Sequence, residues 1–337
     1  MNWLVFTLCL VHTFKMKLAG LQTLRGVAAN LVVFFHCFAI GLLPKYGFQL
    51  QFESLSFIRN FWSGVDLFFC ISGFVMCYSY LNSKVSGLHF YRARVIRIVP
   101  IYWFFTTAIF VISALMGSQP DYKWFIESLL FFVDLDIRLP ILAVGWTLQY
   151  EMFFYLLFAL VLIFSKRKRF LFLIALLFIT VIIHNKYNII LEFIFGIVAY
   201  LIYKSNFFTR FKITIFWLFF AMYVVGLLVL EDSFASSYRV FFFGIPALFI
   251  VASIASINMP KNLLQTAGNY SYSLYLIHFP LLSIFFKVSS LFLLGSMPAW
   301  FLILVGVSIC NIAAFFTWKF IESPITIYLQ KKFINID

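Results

Sequence analysis

Ten apolar runs, most of them about twenty residues long, recur along this chain, separated by short segments that carry most of its charge. About twenty apolar residues in a helix cross the roughly 30 Å hydrocarbon core of a bilayer. In lipid, every backbone N–H and C=O must be satisfied internally, which a helix does within one segment. The pattern therefore predicts an all-α integral membrane protein with ten transmembrane helices. They fall near residues 22–43, 62–81, 95–116, 142–164, 169–184, 188–203, 213–230, 239–256, 268–287 and 298–321, the fifth and sixth being short and joined by a tight turn at His184–Tyr187. Composition agrees: 64% of the 337 residues are hydrophobic and only 11% charged, against about a quarter charged in soluble domains.

A net charge of +13 would point to nucleic acid in a soluble chain. Here the basic residues fall in short loops between spans, so they signal topology, and no nucleic-acid partner is expected. With the N-terminus in the cytoplasm, 18 of the 25 Lys and Arg lie on the inner side and 7 on the outer, and the C-terminus is also cytoplasmic. The outer loop 117–141 carries Asp121, Glu127, Asp134 and Asp136, and its 124–133 stretch reads as an interfacial segment. Residues 1–17 read as a short N-terminal extension, since 1–14 are apolar but short for a span and Met16 offers a second start. Residues 327–337 read as a cytoplasmic tail. Cys9, Cys37, Cys70, Cys77 and Cys310 have no paired spacing, so neither a disulfide framework nor a metal site is expected.

Ionisable groups inside hydrocarbon are costly and mark candidate functional sites. Arg25 and His36 lie eleven residues apart on the first span. That is roughly 16 Å along a helix, so His36 falls near the midplane if Arg25 marks one face. Histidine is suited to accept a proton near neutral pH, which makes His36 a candidate general base. In GVDLFFCISGF, Asp66 is a carboxylate that can orient a neighbouring histidine, or else cap its helix or pack with an outer-loop cation, with Ser72 beside the small Gly73. In YRARVIRIVPIY, Arg94 and Arg97 share a helical face, an arrangement that suits phosphate oxygens or anionic lipid. In GWTLQYEMFFY, Trp146, Gln149 and Glu151 suit either a pocket for a glycan hydroxyl or an interhelical hydrogen-bond network. In YSYSLYLIHFP, Tyr275 accompanies His278, which reads as a structural histidine.

These pieces, in this order, resemble the membrane-bound acyltransferase 3 family, which includes bacterial polysaccharide and O-antigen O-acetyltransferases. The resemblance rests on LQTLRGVAANLVVFFH, GVDLFFCISGF, the Arg94–Arg97 pair, WTLQYE, YSYSLYLIHFP and the IESP at Ile321–Pro324, and covers about residues 18–326. It implies an acyl-coenzyme A donor, usually acetyl-CoA, and a hydroxyl acceptor on a cell-surface or lipid-linked glycan. It implies a multi-pass protein of the bacterial inner membrane, of the stand-alone kind, with membrane lipids as its surroundings. His36 becomes the expected catalytic histidine, with Asp66 or Glu151 to steer it. Arg25, Arg94 and Arg97 become donor-binding residues, and Trp146, Gln149, Ser72 and Tyr275 acceptor-binding ones. Direct transfer and an acyl-histidine relay both remain open, as do the acyl group, the acceptor and the oligomeric state. A transporter for a sugar or small metabolite is the competing reading, because spans with central polar residues fit that too.

Overall fold

Residues 19–48, 52–53, 55–81, 83–119, 121–164, 166–183, 188–206, 210–257, 259–260, 262–292 and 297–334 are described by a computed structural model. The proposed extension 1–17, the His184–Tyr187 turn and the last three residues of the tail lie outside them. Among the described residues there are helices and no strands. In chain order the helices are α1 (Ala19–Gly41), α2 (Gly64–Tyr80), α3 (Gly87–Leu115), α4 (Tyr122–Leu129), α5 (Trp146–Val161), α6 (Lys166–Ile183), α7 (Leu191–Ser205), α8 (Lys212–Val229), α9 (Asp232–Ser237), α10 (Ile245–Ile254), α11 (Leu263–Asn269), α12 (Ser271–Leu291), α13 (Ala299–Thr317) and α14 (Ser323–Phe333).

Among the described residues, seven helical segments are long and apolar enough to cross a membrane: α1, α2 with its 3-10 lead-in, α3, α5, α8, α12, and α13 through α14. The other three expected spans are also helical but fall short of that test. α6 opens on Lys166, Arg167, Lys168 and Arg169, α7 has 15 residues, and α10 follows a π-helical turn at Val240–Gly244. Many apolar side chains point outward. α8 is mostly exposed, with Trp217, Leu218, Val225 and Leu228 facing outward. Such a surface suits lipid as the solvent, and the protein is a multi-pass membrane protein.

The chain divides into two compact units. The described part of one lies within Leu8–Ser79 and Leu177–Phe315. Here α1 packs along α11 and α12, and α10 packs against α7 and α8. α1 and α11 touch backbone to backbone: a Cβ at Gly26 would strike the Leu264 carbonyl oxygen, and one at Gly268 would strike that of Gln22. Small residues allow this approach where lipid supplies no hydrophobic drive between helices. Polar pairs pin the same seam. Gln22 Nε2 donates to Asn269 Oδ1 at 3.1 Å, and Asn262, which caps α11 by accepting from the Gln265 N–H at 2.7 Å, also donates to Thr23.

The other unit lies within Tyr80–Leu176 and Phe316–Asp337. Phe90, Phe154 and Phe158 form its buried aromatic core. Arg169 is buried and donates to four main-chain carbonyls: Phe164, Leu81, Ser83 and Leu162, at 2.8–3.1 Å. It thereby satisfies carbonyls that helix ends and turns leave open. The loop between α3 and α5 is folded as well. Asp121 caps α4 by accepting from the Trp124 N–H at 2.8 Å and pairs with Arg138, which also binds Glu127. That N–H, and then Arg138, hold the Asp121 carboxyl below the usual carboxylate range.

Candidate active site

Helix α1 carries His36 on a half-buried face, with Val33 and Cys37 buried beside it. The ring folds back along its own helix: Nδ1 lies 2.9 Å from the Val32 carbonyl oxygen, one turn earlier. A carbonyl only accepts, so this bond places the ring proton on Nδ1 and the lone pair on Nε2. Phe35 and Phe279 pack edge-on at 4.9 and 5.4 Å between ring centroids. On α12, His278 is completely buried, and its Nε2 stands 3.2 Å from His36 Nδ1. Tyr275 lies one turn away, 5.7 Å from the His278 ring.

Further polar groups follow along α1. Asn311 Nδ2 donates to Asn30 Oδ1 at 2.9 Å, and Tyr270 donates its hydroxyl to Asn311 Oδ1 at 3.1 Å. Arg25 is half-buried near the start of the helix. Ser72 is buried on α2.

Asp66, one of the two carboxylates expected to steer His36, is bound elsewhere. It is completely buried and accepts two bonds from Arg239, from Nε at 3.1 Å and Nη2 at 2.9 Å. The guanidinium also stacks on Trp62 at 4.8 Å, and the buried Glu192 lies beside both partners. The physical reason is charge: a permanent guanidinium offering two parallel donors binds a buried carboxylate more strongly than a neutral ring does. What meets His36 Nδ1 is Val32 and His278.

The other unit brings a second set of the expected residues together. On α3, Arg94 donates from Nη2 to the Tyr80 hydroxyl at 3.1 Å. Its guanidinium lies 5.6–5.9 Å from the rings of Tyr80, Phe90 and Tyr155. Its Nε is buried without a hydrogen-bond partner among the described residues. Tyr155 donates its hydroxyl to Glu151 Oε1, one turn earlier on α5. Glu151 is thus linked through Tyr155 to the surroundings of Arg94. Arg97 is half-buried, one turn along α3. Gln149 donates to the Val133 carbonyl at 3.1 Å and holds the α4–α5 loop, while Trp146 packs edge-on against Tyr150.

One contact escaped sequence reasoning, and another was expected only in kind. His278 carries no periodicity that shows which helix it faces, although a second histidine inside a span of so uncharged a chain was itself a signal. A loop cation was one expected partner of Asp66, and the structure supplies it as Arg239, 173 positions away. Among the described residues no group of three or more His, Cys, Asp or Glu is placed to hold a metal ion.

A family profile described as an acyltransferase domain (acyltransferase 3) matches residues 18–318. A protein of Acidianus two-tailed virus named as an acetyltransferase, ORF330, is 27% identical over 280 residues, covering 76% of this chain and 80% of that protein. The exopolysaccharide production protein ExoZ of Rhizobium meliloti (strain 1021) is 40% identical over 105 residues, which is 29% of this chain and 33% of that protein. No solved structure matches the chain. Over nearly its whole length, then, this chain belongs to the acyltransferase 3 family.

Proposed function

We propose that the protein is an O-acyltransferase of the bacterial inner membrane. It moves an acyl group, most simply acetyl, from cytoplasmic acyl-CoA to a hydroxyl of a cell-surface or lipid-linked glycan. The observation that carries this reading is His36: a half-buried imidazole on an apolar helix, its Nδ1 proton bound to Val32 and its Nε2 lone pair left for chemistry, in a chain of this family. The name of ExoZ favours an exopolysaccharide-type acceptor. In this reading the ten helical segments cross the bilayer with both termini inside, as the basic loops suggest.

Arg94 and Arg97 would hold phosphates of the donor, and Arg25 remains a candidate donor-binding residue on its own helix. The aromatic lining of Arg94 keeps its charge oriented, and its unpaired Nε is a donor that a phosphate oxygen can satisfy. Glu151 acts there through Tyr155. A pantetheine arm is roughly as long as the ~16 Å from Arg25 to His36, so a thioester could reach the base while the nucleotide stays at the inner face. Trp146, Gln149, Ser72 and Tyr275 remain candidates for the acceptor side. In the transfer, the acceptor O–H bond breaks and its proton goes to His36 Nε2. The oxygen bonds to the thioester carbonyl carbon, the C–S bond breaks, and the thiolate takes the proton back.

The test is acetyl transfer from radiolabelled acetyl-CoA by the purified protein, with the cell's surface glycans compared with and without the gene. Loss of one O-acetyl group names the acceptor. Uptake or export without acetyl transfer would favour the transporter reading.

A further inference from the structure

His278 has no part in the transfer as written, yet it is completely buried and its Nε2 stands directly behind the His36 ring. Its own helix fixes its proton. His278 Nδ1 lies 3.0 Å from the Leu274 carbonyl, one turn earlier, so Nδ1 is the donor and Nε2 is bare. His36 is set the same way by Val32. The His36 Nδ1–H is therefore shared between the Val32 oxygen and the His278 Nε2 lone pair. The reverse arrangement fails at 2.9 Å, because a proton on His278 Nε2 requires a bare His36 Nδ1, whose lone pair would face that of the Val32 oxygen.

We propose that His278 is the positioning residue of His36, a neutral imidazole that fills the place a carboxylate takes in better-known base dyads. It holds the tautomer that leaves Nε2 of His36 basic. When that nitrogen takes the hydroxyl proton, the Nδ1–H bond to His278 supports the new charge on the ring. The Nδ1 protons of both rings stay in place, and the transferred proton leaves through His36 Nε2 to the thiolate. A neutral partner also avoids bringing a second charge into the apolar interior at rest, where charge is costly. The proposal rests on His36 being the base.

The experiment measures acetyl transfer by the full-length protein carrying His278→Gln, His278→Asn or His278→Leu. The glutamine oxygen stands near the place of Nε2, and the asparagine amide near that of Nδ1. The Gln variant should keep kcat within about threefold, whereas Asn and Leu should lose about 10- to 100-fold in kcat at an unchanged KM for acetyl-CoA. Should the Leu variant not fold, the gap between Gln and Asn decides. Full kcat in the Leu or Asn variant, or an equal fall in all three with a raised KM, overturns the dyad. His36→Ala run alongside separates the two ideas. Activity without His36 ends the base reading, whereas an inactive His36→Ala beside a fully active His278→Leu ends only the dyad.

Discussion

The two units solve opposite problems with the same building material. In one, His36 and His278 meet as neutral rings whose protons are fixed by carbonyls of their own helices. In the other, Arg94 carries a permanent charge wrapped by Tyr80, Phe90 and Tyr155, with Glu151 one hydrogen bond beyond. The first arrangement suits a group that must gain and lose a proton. The second suits a group that must never lose one. The buried Asp66 follows the second rule, since Arg239 binds it through two parallel donors.

The contrast can be broken most directly at His36. Replacing it with alanine should lower acetyl transfer by about 10²–10⁴-fold while membrane insertion and expression persist. Retained activity in that variant would put the reaction elsewhere. Next in size is the ion pair. Asp66→Ala removes both bonds to a half-buried guanidinium and should reduce stability by about 1–3 kcal/mol. Thermal unfolding in detergent reads this loss, and an unchanged midpoint would mean that Arg239 finds another partner. At Arg94 the expected sign differs: Arg94→Ala should weaken acetyl-CoA binding by about 10- to 100-fold, the worth of one or two charge-assisted hydrogen bonds, with little change in acceptor KM. Equal loss for both substrates would make the cluster structural.

Smaller effects mark the periphery of that second unit. Arg169→Met removes the four carbonyl contacts and should cost about 1–3 kcal/mol in stability, with donor KM unchanged. Smallest is the loop cap at Asp121. Its carboxyl titrates below its unfolded value, so its stabilising contribution is complete above the ordinary carboxylate range and disappears as pH falls through the lowered one. Amide exchange at Trp124 should therefore speed up only in that acid window, and Asp121→Ala should bring the faster rate to neutral pH. An exchange rate flat across the window in the unaltered protein would refute the cap.

Hydropathy made the helices legible but not their kinds. The ten apolar runs are all helical, yet nothing in composition separates a long apolar span from α7, whose 15 residues include a buried glutamate beside Arg239 and Asp66. The placement of Arg25 and His36 on one helix followed from spacing alone. Their partners did not, because contacts such as His36–His278 and Asp66–Arg239 depend on which helices become neighbours, and lipid-facing and protein-facing residues here are equally apolar. Arg94 was readable as a phosphate-directed cation, but its enclosure by three rings was not, since Tyr155 joins it from another helix.

The backbone contact of Gly26 with α11 has a consequence for how such a chain ages. The height and rotation of α1 are set by peptide groups meeting peptide groups, ten residues before the histidine. Substitutions among the many outward phenylalanines change what the lipid touches and leave that meeting alone. The His36 ring is thus insulated from drift on the membrane-facing surface, and a single methyl group added at position 26 or 268 should disturb it more than a whole ring exchanged on the outside.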